Sequence, residues 1–187
     1  MTTFEQRQHD LANALAQRIL VLDGAMGTML QARNLTAADF GGPALEGCNE
    51  YLVKTRPDVI EDIHRAYLTA GSDIIETNSF GGTALVLAEY DVQDEAYDLN
   101  FRAAQLARKA ADEFSTPEKP RFVAGSIGPT TKAITVTGGV TFPQLVENFH
   151  DQAKALADGG VDIFLVETSQ DTRNIKAALL GIGQLEK

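Results

Sequence analysis

"TRPDVIEDIHRAYLTAGSDIIETN", Thr55 to Asn78, reads as a helix that stops at a glycine and feeds a strand. The same pattern returns in "TFPQLVENFHDQAKALADGGVDIFLVET", Thr141 to Thr168. Both copies begin Thr-x-Pro and continue with two apolar residues, Glu, Asp or Asn, an apolar residue and His. Both then reach glycine and a strand that opens on aspartate, Asp73 or Asp162. Thr55 and Thr141 are placed to cap their helices, proline suits the first turn, and Asp58 or Gln144 follows each Thr by three residues. A repeated helix–strand unit predicts a parallel sheet with right-handed crossovers that closes quasi-symmetrically, a (β/α)8 (TIM) barrel rather than an open doubly wound sheet.

The flanking sequence fits that alternation. Phe4 to Arg18 is an amphipathic helix with Leu11, Ala14 and Leu15 on one face, and Ile19 to Leu22 is strand one, read as fully buried. "AADFGGPALEGCNEYL" reads as an irregular excursion over the surface. The helix of the first copy covers Val59 to Ala70, Glu95 to Phe114 is a long Ala-rich helix, and "PEKP" breaks the chain before the strand "RFVAGS". The second copy supplies the helix Gln144 to Ala157 and the strand "VDIFLVE", and a last helix runs from Thr172 to Leu185.

Length, charge and cysteine use exclude several classes. The 187 residues suit one domain, and 44% hydrophobic with 22% charged residues is an ordinary globular balance. A net charge of -10 argues against nucleic acid and anionic membranes, which need a basic face. No apolar run approaches the roughly 20 residues that span a bilayer. The N-terminus, "MTTFEQRQHDLANALAQ", lacks the apolar core of a signal peptide. One cysteine, Cys48, forms no internal disulfide, so a reducing cytoplasm is the expectation.

"ILVLDGAMGTML", Ile19 to Leu30, poses the chemical question, because a buried strand ends on a bare carboxylate. Such an acid must be paired, hydrogen-bonded or met by a ligand. Five residues on from Asp73 and Asp162 stand Asn78 and Glu167, and equal offsets place them on one face and at one level near the strand ends. Asp23 and Ser126 end their strands likewise. In parallel barrels that rim binds ligands, so Asp23, Thr77, Asn78, Ser126, Glu167 and Thr168 converge on one mouth. Two carboxylates suit a small cation such as an α-ammonium. The peptide groups of Gly24, Ala25, Gly27 and Thr28 are open to a ligand carboxylate. The alternative is that Asp23 caps a turn and Glu167 pairs with a nearby base. A glycosidase acid pair is a further possibility, but the chain has no tryptophan to mark a sugar cleft.

Other candidates carry less. His64 and His150 sit at equivalent helix positions and read as packing residues, and His9 as exposed. Cys48 has no cysteine or histidine at metal-ligand spacing. "GAMGT" lacks the Gly-Lys-Ser/Thr ending of a phosphate loop.

"LDGAMGTMLQ", "GCNEYLVKTRPDVIEDIHRAYLTAGSDIIETNSFGG", "AGSIGPTTK" and "DIFLVETSQD" together resemble, in order, the N-terminal homocysteine-binding domain of cobalamin-dependent methionine synthases, from about residue 10 to the end. The resemblance implies a (β/α)8 barrel in which zinc binds the homocysteine thiol and methylcobalamin, held by another domain, supplies the methyl group. By the same resemblance, Asp23 and Glu167 match the acids that hold the homocysteine amine, and "DGAMGT" matches the turn whose backbone faces the amino acid. Residues 1–187 would then be the N-terminal portion of the barrel, about four β/α units or half of it. The family's zinc cysteines come from later strands, so the metal ligands are expected outside this chain and the chain is expected to be inactive alone. Expected partners are homocysteine, the remaining barrel half, the cobalamin and folate domains, and other copies of itself through its open sheet edges. The competing functions are a homocysteine methyltransferase using betaine or S-methylmethionine, and a non-catalytic amino-acid-binding or assembly module.

Overall fold

The computed structural model describes residues 3–132, 134 and 138–185. Its centre is a parallel sheet of three strands in the order β1-β2-β3: β1 (Ile74–Glu76), β2 (Phe122–Ile127) and β3 (Ile163–Val166). Sequence neighbours are therefore spatial neighbours, with a helix in each crossover. The crossover helices are α6 (Ala96–Phe114) and α7 (Phe142–Gly159); α4 (Pro57–Ala70) precedes β1 and α8 (Thr172–Ile182) follows β3. The amphipathic N-terminal helix, α1, spans Phe4–Gln17. Short helices α2 (Met26–Gln31), α3 (Leu52–Thr55) and α5 (Ala84–Leu87) lie in the connecting loops.

Alternation along the strands sorts the side chains to two faces. Ile75, Val123 and Ile127 point to the helices and join Ala104, Ala107, Phe149, Leu156 and Ala178 in the main core. The opposite face starts with Ile74, Phe122 and Ile163, which Leu11 and Ala14 of α1 cover at the N-terminal end of the sheet. The Ala-rich stripe on α6 lets α7 come close. A Cβ added at Gly159 would lie 2.5 Å from the Ala104 Cβ and 2.7 Å from the Phe101 carbonyl oxygen. Both copies of the repeat end their helices on a left-handed glycine, Gly71 at φ 114° and Gly160 at φ 101°, a conformation that a side chain would strain.

Four expectations need correction. Ile19 to Leu22 is not a buried strand. Only Leu22 bridges in parallel to Ile74, and Ile19 is 90% exposed, because the segment has a neighbour on one side only among the described residues. The excursion before α4 is not merely superficial. Phe40, Cys48 and Leu52 are buried with Leu30, Ile60, Ile63 and Leu99 in a second apolar cluster. Thr141 caps α7 in a full capping box with Gln144, but Thr55 does not cap α4. It ends α3, and its hydroxyl donates back to the Tyr51 carbonyl. Finally, Asp73 and Asp162 are not level. Ile74 pairs with Phe122, whereas Ile163 pairs with Ala124, so β3 is staggered by two residues. An even stagger preserves the face but shifts the height.

Each repeat aspartate ties its strand to the one before. Asp73 N–H donates to the Val21 carbonyl while its carboxylate accepts Val21 N–H at 2.9 Å. Asp162 N–H donates to the Val123 carbonyl and its carboxylate accepts Val123 N–H, also at 2.9 Å. Arg18 grips Asp73 with two nitrogens at 2.7 and 2.8 Å, which holds that carboxyl below its ordinary range. Arg7 and Arg108 approach Asp162 at 2.6 and 2.7 Å. Since the Asp162 side chain is fully buried and the Arg18 partner of Asp73 is half exposed, the two should differ in cost when neutralised. Asp162→Asn removes a buried carboxylate shared by two part-buried guanidinium groups, Arg7 and Arg108, and should destabilise by about 3–5 kcal/mol. Asp73→Asn should cost about 1–3 kcal/mol. Urea unfolding of the two variants measures the order; equal or reversed losses would contradict it.

Candidate functional site

The chain leaves strand-like structure at Asp23, β1 ends at Glu76 and β2 at Ile127, and Glu167 follows β3. These exits border one cavity of ≈ 180 Å³ at the C-terminal end of the sheet. Asp23, Gly24, Ala25, Gly27, Thr77, Asn78, Ser126 and Glu167 all line it, as the sequence predicts. Thr28 does not. The chain is already helical at Met26, and the winding of α2 carries Thr28 to the exposed side. Thr168 is exposed beside the mouth at φ 49°, a strained value for a β-branched residue, and its hydroxyl donates to Glu167 Oε2 at 3.3 Å.

The lining residues divide by face. Glu76, Asn78, Ser126 and Glu167 share the parity that points away from the helices. Thr77 has the other parity, and its hydroxyl supports the frame: Oγ1 accepts Ser126 N–H at 3.0 Å and meets Ser79 Oγ at 2.5 Å. Ser79 Oγ in turn donates to the Ser126 carbonyl, and Gln152 Nε2 donates to the Ser79 carbonyl, each at 2.8 Å. Asn78 is level with Ser126 and Leu165, below Glu167, because of the two-residue stagger. Its amide donates to the Asn49 carbonyl at 2.7 Å and so fastens the long loop to the rim.

Three carboxyls dominate the cavity, where the sequence reading has two. Glu76 is the addition, and the parity that selects Asn78 also selects Glu76 two residues earlier. Asp23 accepts Glu76 N–H on both oxygens at 3.1 Å. Burial nevertheless pushes its pKa up to about 7, against the backbone hydrogen bonds and with help from the Glu167 charge. Burial, followed by the charges of Glu167 and Asp23, pushes Glu76 up to about 8. Ser126 Oγ donates to Glu167 Oε1 at 2.5 Å. No ion pair joins a lysine, arginine or histidine to any of the three among the described residues. A cavity walled by unneutralised acids favours a small cation over any anion or neutral ligand.

The remaining candidates are structural. Burial, aided by Glu50, pushes the Cys48 thiol up to about 11, and the described residues hold no group of three His, Cys, Asp or Glu side chains able to bind a metal ion. They do not fit a zinc site. His64 is fully buried, and burial lowers its pKa to about 4, which leaves it neutral. His150 Nδ1 lies 3.2 Å from the Gly181 carbonyl. A larger cavity of ≈ 570 Å³ opens at the other end of the sheet. Its arginines are engaged, Arg7 and Arg108 by Asp162 and Arg121 by the Ser72 carbonyl, so its size does not make it the site.

The family model for homocysteine S-methyltransferase matches residues 20–187. Methionine synthase of Mycobacterium leprae (strain TN) is 48% identical over 183 residues, covering 97% of this chain. That of Mycobacterium tuberculosis (strain ATCC 25618 / H37Rv) is 48% identical over 172 residues, covering 92%. The chain spans only 15% and 14% of those two proteins. Among solved structures, the homocysteine methyltransferase MmuM from Escherichia coli superposes in its oxidized form with a TM-score of 0.76 at 25% identity, over 94% of this chain and 61% of that one. Its metallated form gives 0.75 at 23%, over 92% and 62%. With the family model spanning nearly the whole chain and the fold shared with a member of known structure, the protein belongs to the homocysteine S-methyltransferase family.

Proposed function

We propose that this chain is the amino-acid-binding part of a methionine-synthase-type homocysteine S-methyltransferase, and that its sheet is the first half of a (β/α)8 barrel. The observation that carries the reading is the unneutralised acid cluster in the rim cavity, at residues that the family model covers. In this reading Asp23 and Glu167 hold the α-ammonium of homocysteine, while Gly24, Ala25 and Gly27 leave room beside them for its carboxylate. Ser126 and Thr168 fix the Glu167 oxygens, and the Asn78–Asn49 contact steadies the loop above. The bound amine orients the thiol for methylation to give methionine.

Zinc to activate the thiol and methylcobalamin to supply the methyl group belong to residues and domains outside this chain, so the segment alone binds without turning over. The 48% identity to two methionine synthases supports that type over one that uses betaine or S-methylmethionine as donor. A cytoplasmic location suits the single buried free cysteine, and no described helix is long and apolar enough to cross a membrane.

Function and stability should move in opposite directions at Asp23. Its folded pKa of about 7, and that of Glu76 near 8, lie above the ordinary values of 3.8 and 4.5. The folded state thus binds more protons than the unfolded chain between about pH 4 and 8, and these groups reduce stability as pH rises through that window. Asp23→Asn should weaken homocysteine binding by about 1.5–3 kcal/mol, roughly ten- to a hundredfold. The same change should raise the melting temperature near pH 8. Calorimetry and thermal unfolding test both; intact affinity with a lowered melting temperature would make Asp23 a turn cap instead.

The exposed edge around Ile19 and Val21, 90% and 56% accessible, leads us to propose also that the chain self-associates. Light scattering over a dilution series should show mass falling with concentration. A monodisperse monomer throughout would contradict this.

A further inference from the structure

Glu76 has a hydrogen-bonding problem that Asp23 and Glu167 do not. Asp23 is served by the Glu76 N–H on both oxygens, and Glu167 accepts hydroxyl donors on both of its own, Ser126 on Oε1 and Thr168 on Oε2. The Glu76 side chain takes no N–H or O–H donor among the described residues, and it shares the ≈ 180 Å³ cavity with Asp23 and Glu167, whose charges help to raise its pKa. Two carboxyl groups form a hydrogen bond only with a proton between them. Because the Glu167 oxygens are already acceptors, Glu76 is the donor.

We propose that Glu76 is a third acid of the amine site: the free site keeps one proton between Glu76 and Glu167, and the incoming ammonium displaces it. The idea rests on the homocysteine-site reading given above. The exchange balances simply. A ligand cation enters, one proton leaves for solvent, and no covalent bond changes in ligand or protein. The site then gains an ammonium whose N–H groups replace the lost donor, so Glu76 and Glu167 both become acceptors of one cation. The groups facing Glu76 are the carboxyls of Asp23 and Glu167 and the Tyr67 phenol on α4, whose pKa burial, Asp23 and Glu76 all raise. Tyr67 donates to the Ala25 carbonyl at 3.2 Å and so stays protonated in this role. The remaining wall, from the loop after Asp23 and the exits of β1 and β2, brings no base within ion-pair distance among the described residues.

Titration calorimetry of the 187-residue chain with L-methionine tests this, because methionine keeps the ammonium and carboxylate but has no thiol proton to confuse the count. Measured in phosphate and in Tris near pH 7, the apparent heats should differ by the release of about one proton per ligand. Affinity should rise by up to about tenfold per pH unit between pH 7 and 8, more steeply below pH 7 where Asp23 also holds a proton, and level above pH 8. Glu76→Gln keeps the volume and a hydrogen bond to Glu167 but has no proton to give up, so it should lose most of the release and flatten the profile. Equal heats in the two buffers, or undiminished release in Glu76→Gln, would overturn the proposal. Absence of methionine and homocysteine binding at every pH would instead overturn the amine-site reading beneath it. Infrared difference spectra of the unaltered chain give a check that needs no variant. The carbonyl stretch of a protonated carboxylic acid should be present in the free protein and vanish with ligand, and a spectrum unchanged by ligand would overturn the proposal.

Discussion

Asp73 and Asp162 each hold the preceding segment at both polar groups of a single residue, Val21 in one case and Val123 in the other. A backbone pair alone would allow a slip along the strand. The added carboxylate bond does not survive a slip of one residue, because alternation would turn the side chain to the other face. The clamps are charged, and arginines from α1, α6 and the α1 end neutralise them. The base of the sheet is thereby locked by ion pairs, while its other end is free to expose functional groups. Every height at the rim is counted from those two aspartates.

The rim inverts the electrostatics of the base. Below, each acid has a guanidinium; above, Asp23, Glu76 and Glu167 have none among the described residues, and burial with mutual repulsion raises Asp23 and Glu76 far above ordinary carboxyls. Such a cluster costs stability in the free protein and supports binding of a cation. The hydroxyl and amide frame behind it, from Thr77 through Ser79 to Gln152, holds the acids in place despite the repulsion. The strained φ of Thr168 lies next to Glu167 for the same reason: the chain bends sharply to keep that carboxylate over the cavity.

Local pattern carried much of this into the sequence. Helix positions follow from 3.6-residue periodicity, and the left-handed glycines and the Thr141 capping box are read directly from residue type. Asp23 and Glu167 are visible because a bare acid after an apolar strand contradicts its surroundings. Pairing is what the sequence hides. The stagger of β3 follows from which carbonyl Asp162 meets, and strand one depends on partners that its own residues do not encode. Glu76 is hidden for a related reason: within "IIETN" it looks like an ordinary polar residue, although counting by twos from Asn78 reaches it. Thr77 lines the cavity although its side chain has the helix-facing parity and serves the frame, whereas helix winding carries Thr28 away despite its place beside the glycine.

The central claim is that the acid cluster receives the α-ammonium of an amino acid. A structure of the chain with bound L-homocysteine tests it most directly. The ligand nitrogen should lie within hydrogen-bonding distance of Asp23, Glu76 and Glu167, with the ligand carboxylate toward the Gly24–Gly27 turn. A ligand bound with its carboxylate or sulfur against those acids, or lodged in the arginine-lined cavity at the opposite end, would contradict it.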